Sequence, residues 1–178
     1  MAEEKNVVLV SVLRSADGKF YRQGIENPEE LASGFPKSEE ELFKYSALII
    51  GSVEATFFTF DQLRAVEQFV SRRGGTLLVL GGTKSLGAGG YGNTPLADLL
   101  PLYLRGDGAP AGESQSFKAR PAERGKDSPM VRLGEQGADS EGAWEQMPAI
   151  TIPEVLTETK PGATVILEAG NTSQKNYV

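Results

Sequence analysis

The chain has 178 residues, 39% of them apolar and 24% charged, which suits one soluble domain with a sizeable core and room for a small second lobe. Its net charge of −6 repels phosphodiester backbones and anionic lipid, so neither nucleic acid nor a membrane surface is an expected partner. It contains no cysteine and no histidine, which removes disulfides, thiolate metal sites, the cysteine nucleophile and the commonest general base.

No stretch approaches the roughly 18 apolar residues of a membrane span, and residues 1–5 (MAEEK) lack the apolar core of a signal peptide. The expectation is a soluble domain with no membrane insertion of its own. Residues 7–13 (VVLVSVL) form a nearly continuous apolar run, which predicts a strand buried on both faces of a parallel sheet. Residues 14–24 are polar and carry the turn signal Asp17-Gly18. Short helices are predicted over 28–32 and 38–45, the second capped by Ser38 with Glu39, Glu40 and Glu41 near its positive end.

A second buried strand is predicted over 47–53. The clearest helix follows: Thr59 stands three residues before Gln62 in a capping-box pattern, and Phe58 and Leu63 occupy the staple positions. Leu63, Val66, Phe69 and Val70 line one face, Asp61, Arg64, Glu67, Gln68 and Arg72 the other, and Gly74-Gly75 ends the helix. A third strand is predicted over 76–80. Strand, helix and strand in this order predict a right-handed parallel crossover and hence a doubly wound α/β sheet. The glycine-rich residues 81–93 read as a loop, followed by a short helix to Leu100 with Thr94 as cap and Pro95 as first residue. Beyond the core of 7–104 the sequence is less regular, through to 178. An edge strand is predicted over 116–122, a helical turn over 128–133, and a strand over 163–168, with Trp144 anchoring the C-terminal segment. Tyr177-Val178 reads as the opening of an apolar strand, so the sequence is expected to be a piece of a longer protein.

Residues 45–102 (YSALIIGSVEATFFTFDQLRAVEQFVSRRGGTLLVLGGTKSLGAGGYGNTPLADLLPL), with the shorter pieces KFYRQG at 19–24, WEQMP at 144–148 and KPGAT at 160–164, carry a family resemblance. The chain resembles the class I glutamine amidotransferase-like domain of large bacterial membrane-associated proteins of unknown function. In those proteins the domain accompanies von Willebrand-type domains and transmembrane helices. The resemblance implies a flavodoxin-like, doubly wound, mostly parallel sheet with its site at the carboxyl ends of the strands. It implies a strand and a helix before Val7 and further strands after Val178. It places Leu80-Gly81-Gly82-Thr83-Lys84-Ser85 where active members carry the nucleophile turn, with Thr83 in the position of the cysteine. Gly51-Ser52 matches the turn that supplies an oxyanion donor, and the downstream His-x-Glu pair has no counterpart.

The candidate crevice therefore comprises Gly51, Ser52, Glu54, Gly82, Thr83, Lys84, Ser85, Gly87, Gly89, Gly90 and Tyr91. It has no assigned catalytic residue, no metal ligand set and no cofactor. Gly87-Ala88-Gly89-Gly90-Tyr91-Gly92 formally matches a dinucleotide fingerprint, but the strand–turn–helix context of that motif is missing. Lys84-Ser85 likewise precedes the glycines that a phosphate-binding loop would place before its lysine. The loop is read either as a tight structural turn or as a binding loop with backbone N–H groups facing a ligand. A carboxylate-only Mg²⁺ or Ca²⁺ site around Glu54 is a lesser alternative. The expected function is a non-catalytic module that binds a small ligand or neighbouring domains of the same polypeptide, in a parent protein associated with a bacterial membrane. The alternative is a hydrolase that uses Thr83 or Ser85 with Lys84 or Glu54.

Overall fold

A computed structural model describes residues 6–16, 18–105, 115–133, 140–152, 158–171 and 174–177. The chain forms two compact units, one of Met1–Leu48 and Phe58–Leu77, the other of Ile49–Phe57 and Leu78–Val178. It is mixed α/β, and the described residues form sheets of two and three strands and four α-helices. Among the described residues no helix is long and apolar enough to cross a membrane.

The first unit opens on an antiparallel hairpin of β1 (Ser11–Ala16) and β2 (Lys19–Gln23), in register Leu13↔Tyr21. This corrects the sequence reading of a parallel strand buried on both faces. Val7, Val8, Leu9 and Leu13 are 52–83% exposed, and residues 7–10 precede the strand. An apolar run states what a segment can bury, not what covers it. The residues read as a polar connection supply β2, because Phe20 and Arg22 alternate inward with Lys19, Tyr21 and Gln23 outward. Arg22 is satisfied there by donating to the carbonyls of Pro28 (2.6 Å) and Glu30 (2.7 Å). Asp17 lies outside the described residues, and Gly18 takes the turn at φ +69°.

The helix expected over 28–32 is instead a chain of turns. The Asn27 carboxamide oxygen accepts from the amides of Glu29 and Glu30, and Leu31 sits at φ +53°. The next helix, α1 (Glu39–Leu42), is shorter than expected but carries the expected cap, with the Ser38 hydroxyl accepting from the Glu41 amide. Strand β3 (Ala47–Ile50) then leads towards α2 (Phe60–Ser71). Both halves of the α2 capping box form: Gln62 N–H donates to Thr59 Oγ1 (3.2 Å), and Thr59 N–H donates to the Gln62 side chain (3.0 Å). Leu63, Ala65, Val66 and Phe69 are buried, and Gly74 at φ +77° stops the helix. Phe58, at the staple position, packs edge-on against Phe35 with ring centroids 5.0 Å apart.

Strand β4 (Thr76–Val79) pairs with β3. Thr76 N–H donates to Ser46 O and Leu80 N–H to Ile50 O, a constant offset that makes the pair parallel, as the strand–helix–strand pattern requires. The expected two-sided burial is absent here as well. Burial alternates along both strands, leaving Ile49, Leu78 and Leu80 about half exposed.

In the second unit, helix α3 (Pro95–Leu99) begins at Pro95 as expected, but the Thr94 hydroxyl does not cap it and donates instead to Tyr91 O (2.8 Å). The stretch read as one edge strand over 116–122 breaks at Lys118 into β5 (Gln115–Phe117) and β6 (Ala119–Pro121). Helix α4 (Ser140–Gln146) and strand β7 (Ile150–Ile152) follow, then β8 (Leu167–Asn171) and β9 (Gln174–Tyr177). Strand β5 pairs with β7, and β6–β8–β9 form a second sheet; every pairing in the two is antiparallel. The predicted mostly parallel sheet is thus represented by β3–β4 alone among the described residues. The strand expected over 163–168 starts only at Leu167, although the Ala122 amide still donates to Ile166 O (2.9 Å) in line with the β6–β8 register. The helical turn expected over 128–133 is a 3₁₀ turn at Pro129–Val131, and Trp144 on α4 donates its indole N–H to Val131 O (2.7 Å).

Candidate functional site

The candidate residues all belong to the second unit and stand at the carboxyl ends of the parallel strands. That is where ligands bind in open α/β sheets. After β3 the chain turns tightly, with Val53 N–H donating to Gly51 O (2.8 Å), and leaves Ser52 exposed. Glu54 then starts a 3₁₀ turn, its carbonyl accepting from Phe57 N–H (3.0 Å). After β4 the chain runs through Gly81 and Gly82 to Thr83 and Lys84, both exposed. The structure brings Ser52 and Gly82 together: a Cβ added to Gly82 would fall 2.8 Å from the Ser52 hydroxyl oxygen. A side chain there would displace the serine, so the close approach of the two strand ends depends on this glycine.

The glycine-rich segment is a compact, internally bonded turn. Ser85 N–H donates to Gly82 O, Gly89 N–H to Ser85 O, Gly90 N–H to Gly87 O, and Tyr91 N–H to Leu86 O. Four of the loop's amides are therefore used within the loop. Gly89 lies against the preceding turn, where a Cβ would meet Lys84 O at 2.5 Å, and Leu86 holds φ +52° although it is not a glycine. Gly87 and Gly89 are buried and Gly90 is half-buried, whereas Gly81, Thr83, Lys84 and Asn93 are exposed.

Two of the eleven candidates are anchors of this turn. Ser85 is fully buried, and its hydroxyl donates to Leu80 O at 2.7 Å. Tyr91 is 1% exposed, and its hydroxyl donates to Val53 O at 2.8 Å, joining the loop to the β3 end. Ala55 N–H reinforces the join by donating to Gly89 O (2.8 Å). Burial, and then the nearby Glu54 carboxylate, hold the Tyr91 phenol well above its ordinary ionisation range. Glu54 itself is half-buried. Among the described residues no three acidic side chains gather to hold a metal ion. Ser52, Thr83 and Lys84 remain as the accessible polar rim.

A feature that sequence reasoning missed lies further along the second unit. A cleft of about 760 Å³ is lined by residues that include Lys118, Arg120, Arg132, Glu141, Trp144 and Glu168. Its charges compensate one another. Arg120 Nε meets the buried Glu168 carboxylate at 3.0 Å and Lys126 Nζ meets the Glu123 carboxylate at 2.9 Å, while Lys118 donates to the main-chain carbonyl of Glu145 at 2.7 Å. No local pattern announces this cleft, since the Arg120–Glu168 pair spans 48 residues of sequence.

Comparison with family models, with curated proteins and with solved structures finds no match to this chain.

Proposed function

We propose that the chain is a non-catalytic, class I amidotransferase-like module. The finer fold reading, a flavodoxin-like doubly wound sheet, belongs to this proposal and is supported by the parallel β3–α2–β4 crossover. The module's role is recognition: its strand-end rim of Gly51, Ser52, Gly82, Thr83 and Lys84 meets a small ligand or neighbouring domains of the same polypeptide. The parent protein is one associated with a bacterial membrane.

The observation that carries the reading is the use to which the reactive-type side chains are put. At the position of the nucleophile turn, the chain has Thr83 on the surface and no cysteine or histidine anywhere. The neighbouring hydroxyl best placed to substitute, that of Ser85, is sealed from solvent and donates its hydrogen to a main-chain carbonyl. A hydroxyl nucleophile needs a base to accept that proton, and a carbonyl bonded at 2.7 Å is not one. The test is ammonia release from glutamine, together with hydrolysis of a simple ester, by the full chain. Both are expected at the buffer rate. Turnover that vanishes in Thr83→Ala or Ser85→Ala variants with intact circular dichroism would refute the proposal.

A further inference from the structure

The cleft of about 760 Å³ in the second unit is lined by none of the strand-end residues, and four cationic and four acidic side chains line it. Two cations are committed, Arg120 to Glu168 at 3.0 Å and Lys126 to Glu123 at 2.9 Å. Lys118 gives its ammonium to the main-chain carbonyl of Glu145, and Arg132 has no ion pair among the described residues. Glu141 and Glu145 stand one helical turn apart on the cleft side of α4, where like charges oppose the helix. No cationic side chain among the described residues pairs with either, and Glu141 reaches Lys126 only through space. This wall is fixed at three points. The Ser140 hydroxyl accepts from Leu133 N–H (3.1 Å) and donates to Leu133 O (3.0 Å), Trp144 donates to Val131 O (2.7 Å), and Lys118 holds the Glu145 carbonyl (2.7 Å). Arg132 adjoins Leu133 and so stands near the end of α4 that begins at Ser140, while Glu145 stands near the other end.

We propose that this cleft binds a short zwitterionic peptide lying along α4, its carboxylate on the Arg132 guanidinium, its ammonium on Glu145 and an apolar side chain against the Trp144 ring. Charge decides the class of ligand. An anion entering the cleft meets four carboxylates and a cation meets four cations, on a chain whose net charge of −6 also repels anions. A ligand that carries both signs, one at each end, is matched at both. Arg132 takes the carboxylate because its guanidinium presents a fork of donors that fits one, whereas Lys118 already spends a donor on Glu145 O. Ser140 to Glu145 covers about 7–8 Å of helix. An extended peptide spans about 3.3 Å per residue, so roughly two to four residues join the two ends. The cleft volume falls in the range of small-molecule sites, roughly 300–1,000 Å³. The indole N–H of Trp144 is spent on Val131 O, which holds the ring for apolar contact. With α4 already tied at three points, little of this wall has to be ordered on binding.

Trp144 is the only tryptophan of the chain, so its fluorescence in the full chain reports on the cleft directly. Titration with the tripeptide Ala-Leu-Ala is expected to give a saturable change. Acetylating the amino end of the probe, or amidating its carboxyl end, should each weaken binding about tenfold or more. Arg132→Gln and Glu145→Gln alter exposed side chains, and circular dichroism checks that both variants keep the fold. Each should bind the free tripeptide about tenfold more weakly than wild type. The decisive arm crosses variant with probe. Arg132→Gln should become indifferent to amidation while still sensing acetylation, and Glu145→Gln should show the reverse. Absence of a saturable change with Ala-Leu-Ala at millimolar concentration overturns the proposal. So do equal affinities for free and capped peptides, or variants that keep the wild-type response to both caps.

Discussion

Replacing Tyr91 with phenylalanine separates the hydroxyl of the loop anchor from its ring. At neutral pH the variant keeps the buried ring and loses one bond at 2.8 Å, leaving the Val53 carbonyl without that donor. The expected loss is about 1–2 kcal/mol, the net worth of one hydrogen bond plus part of the cost of an unmet acceptor. Alkaline pH adds a second signature. The folded-state pKa of Tyr91 is raised above the unfolded value of about 10, so folding favours the protonated phenol. Its contribution is complete below pH ~10. Above that the unfolded chain ionises first, and stability falls by up to ~1.4 kcal/mol per pH unit. Tyr45 adds to the same slope, its pKa pushed up to about 12 by burial and then by its hydrogen bond to Glu30. Denaturant unfolding followed by fluorescence between pH 8 and pH 11, roughly the window that brackets an unperturbed tyrosine, measures both terms. Tyr91→Phe should unfold at lower denaturant at neutral pH and lose stability less steeply in alkali than wild type. An alkaline slope unchanged by the substitution would show that the phenol is not held in the buried, neutral state described above.

Gly89→Ala should destabilise by about 2 kcal/mol or more, because its Cβ would lie 2.5 Å from the Lys84 carbonyl and the turn must open to admit it. Thermal unfolding would register this, whereas Gly51→Ala, with nothing within 4 Å, serves as a near-neutral control. Thr59→Ala removes one half of the capping box of α2 and should cost about 1 kcal/mol, read as a lower midpoint in urea. An unchanged midpoint would mean that the box contributes nothing to the helix.

What could be read from the sequence was whatever is decided locally. Helix α2 has its cap, apolar face and stop signal within one short window, and the structure reproduces all three. The parallel pairing of β3 with β4 follows from chain direction once a helix connects two strands. The hairpin of β1 and β2 was missed because the apolar run outweighed the alternation of residues 19–23, a pattern in which Arg22 stands on the inward face. The strand-end location of the candidate residues was legible, but their individual roles were not. Ser85 and Tyr91 resemble binding residues by type, and only their depth of burial and their carbonyl partners mark them as anchors. The antiparallel sheets after residue 114 depend on pairings such as Arg120 with Glu168, for which no local sequence signal exists.

The anchors of the strand-end turn share a property with an evolutionary consequence. Ser85 bonds to the carbonyl of Leu80, Tyr91 to that of Val53, and Ala55 to that of Gly89. Every one of these contacts is made to main chain, so none constrains the side chain at the position it grips. Thr83 and Lys84 can then be exchanged for residues of other size and charge while the turn beneath them holds its shape. Such a turn is a natural place for specificity to diversify, and a practical place to graft a new recognition surface in the laboratory.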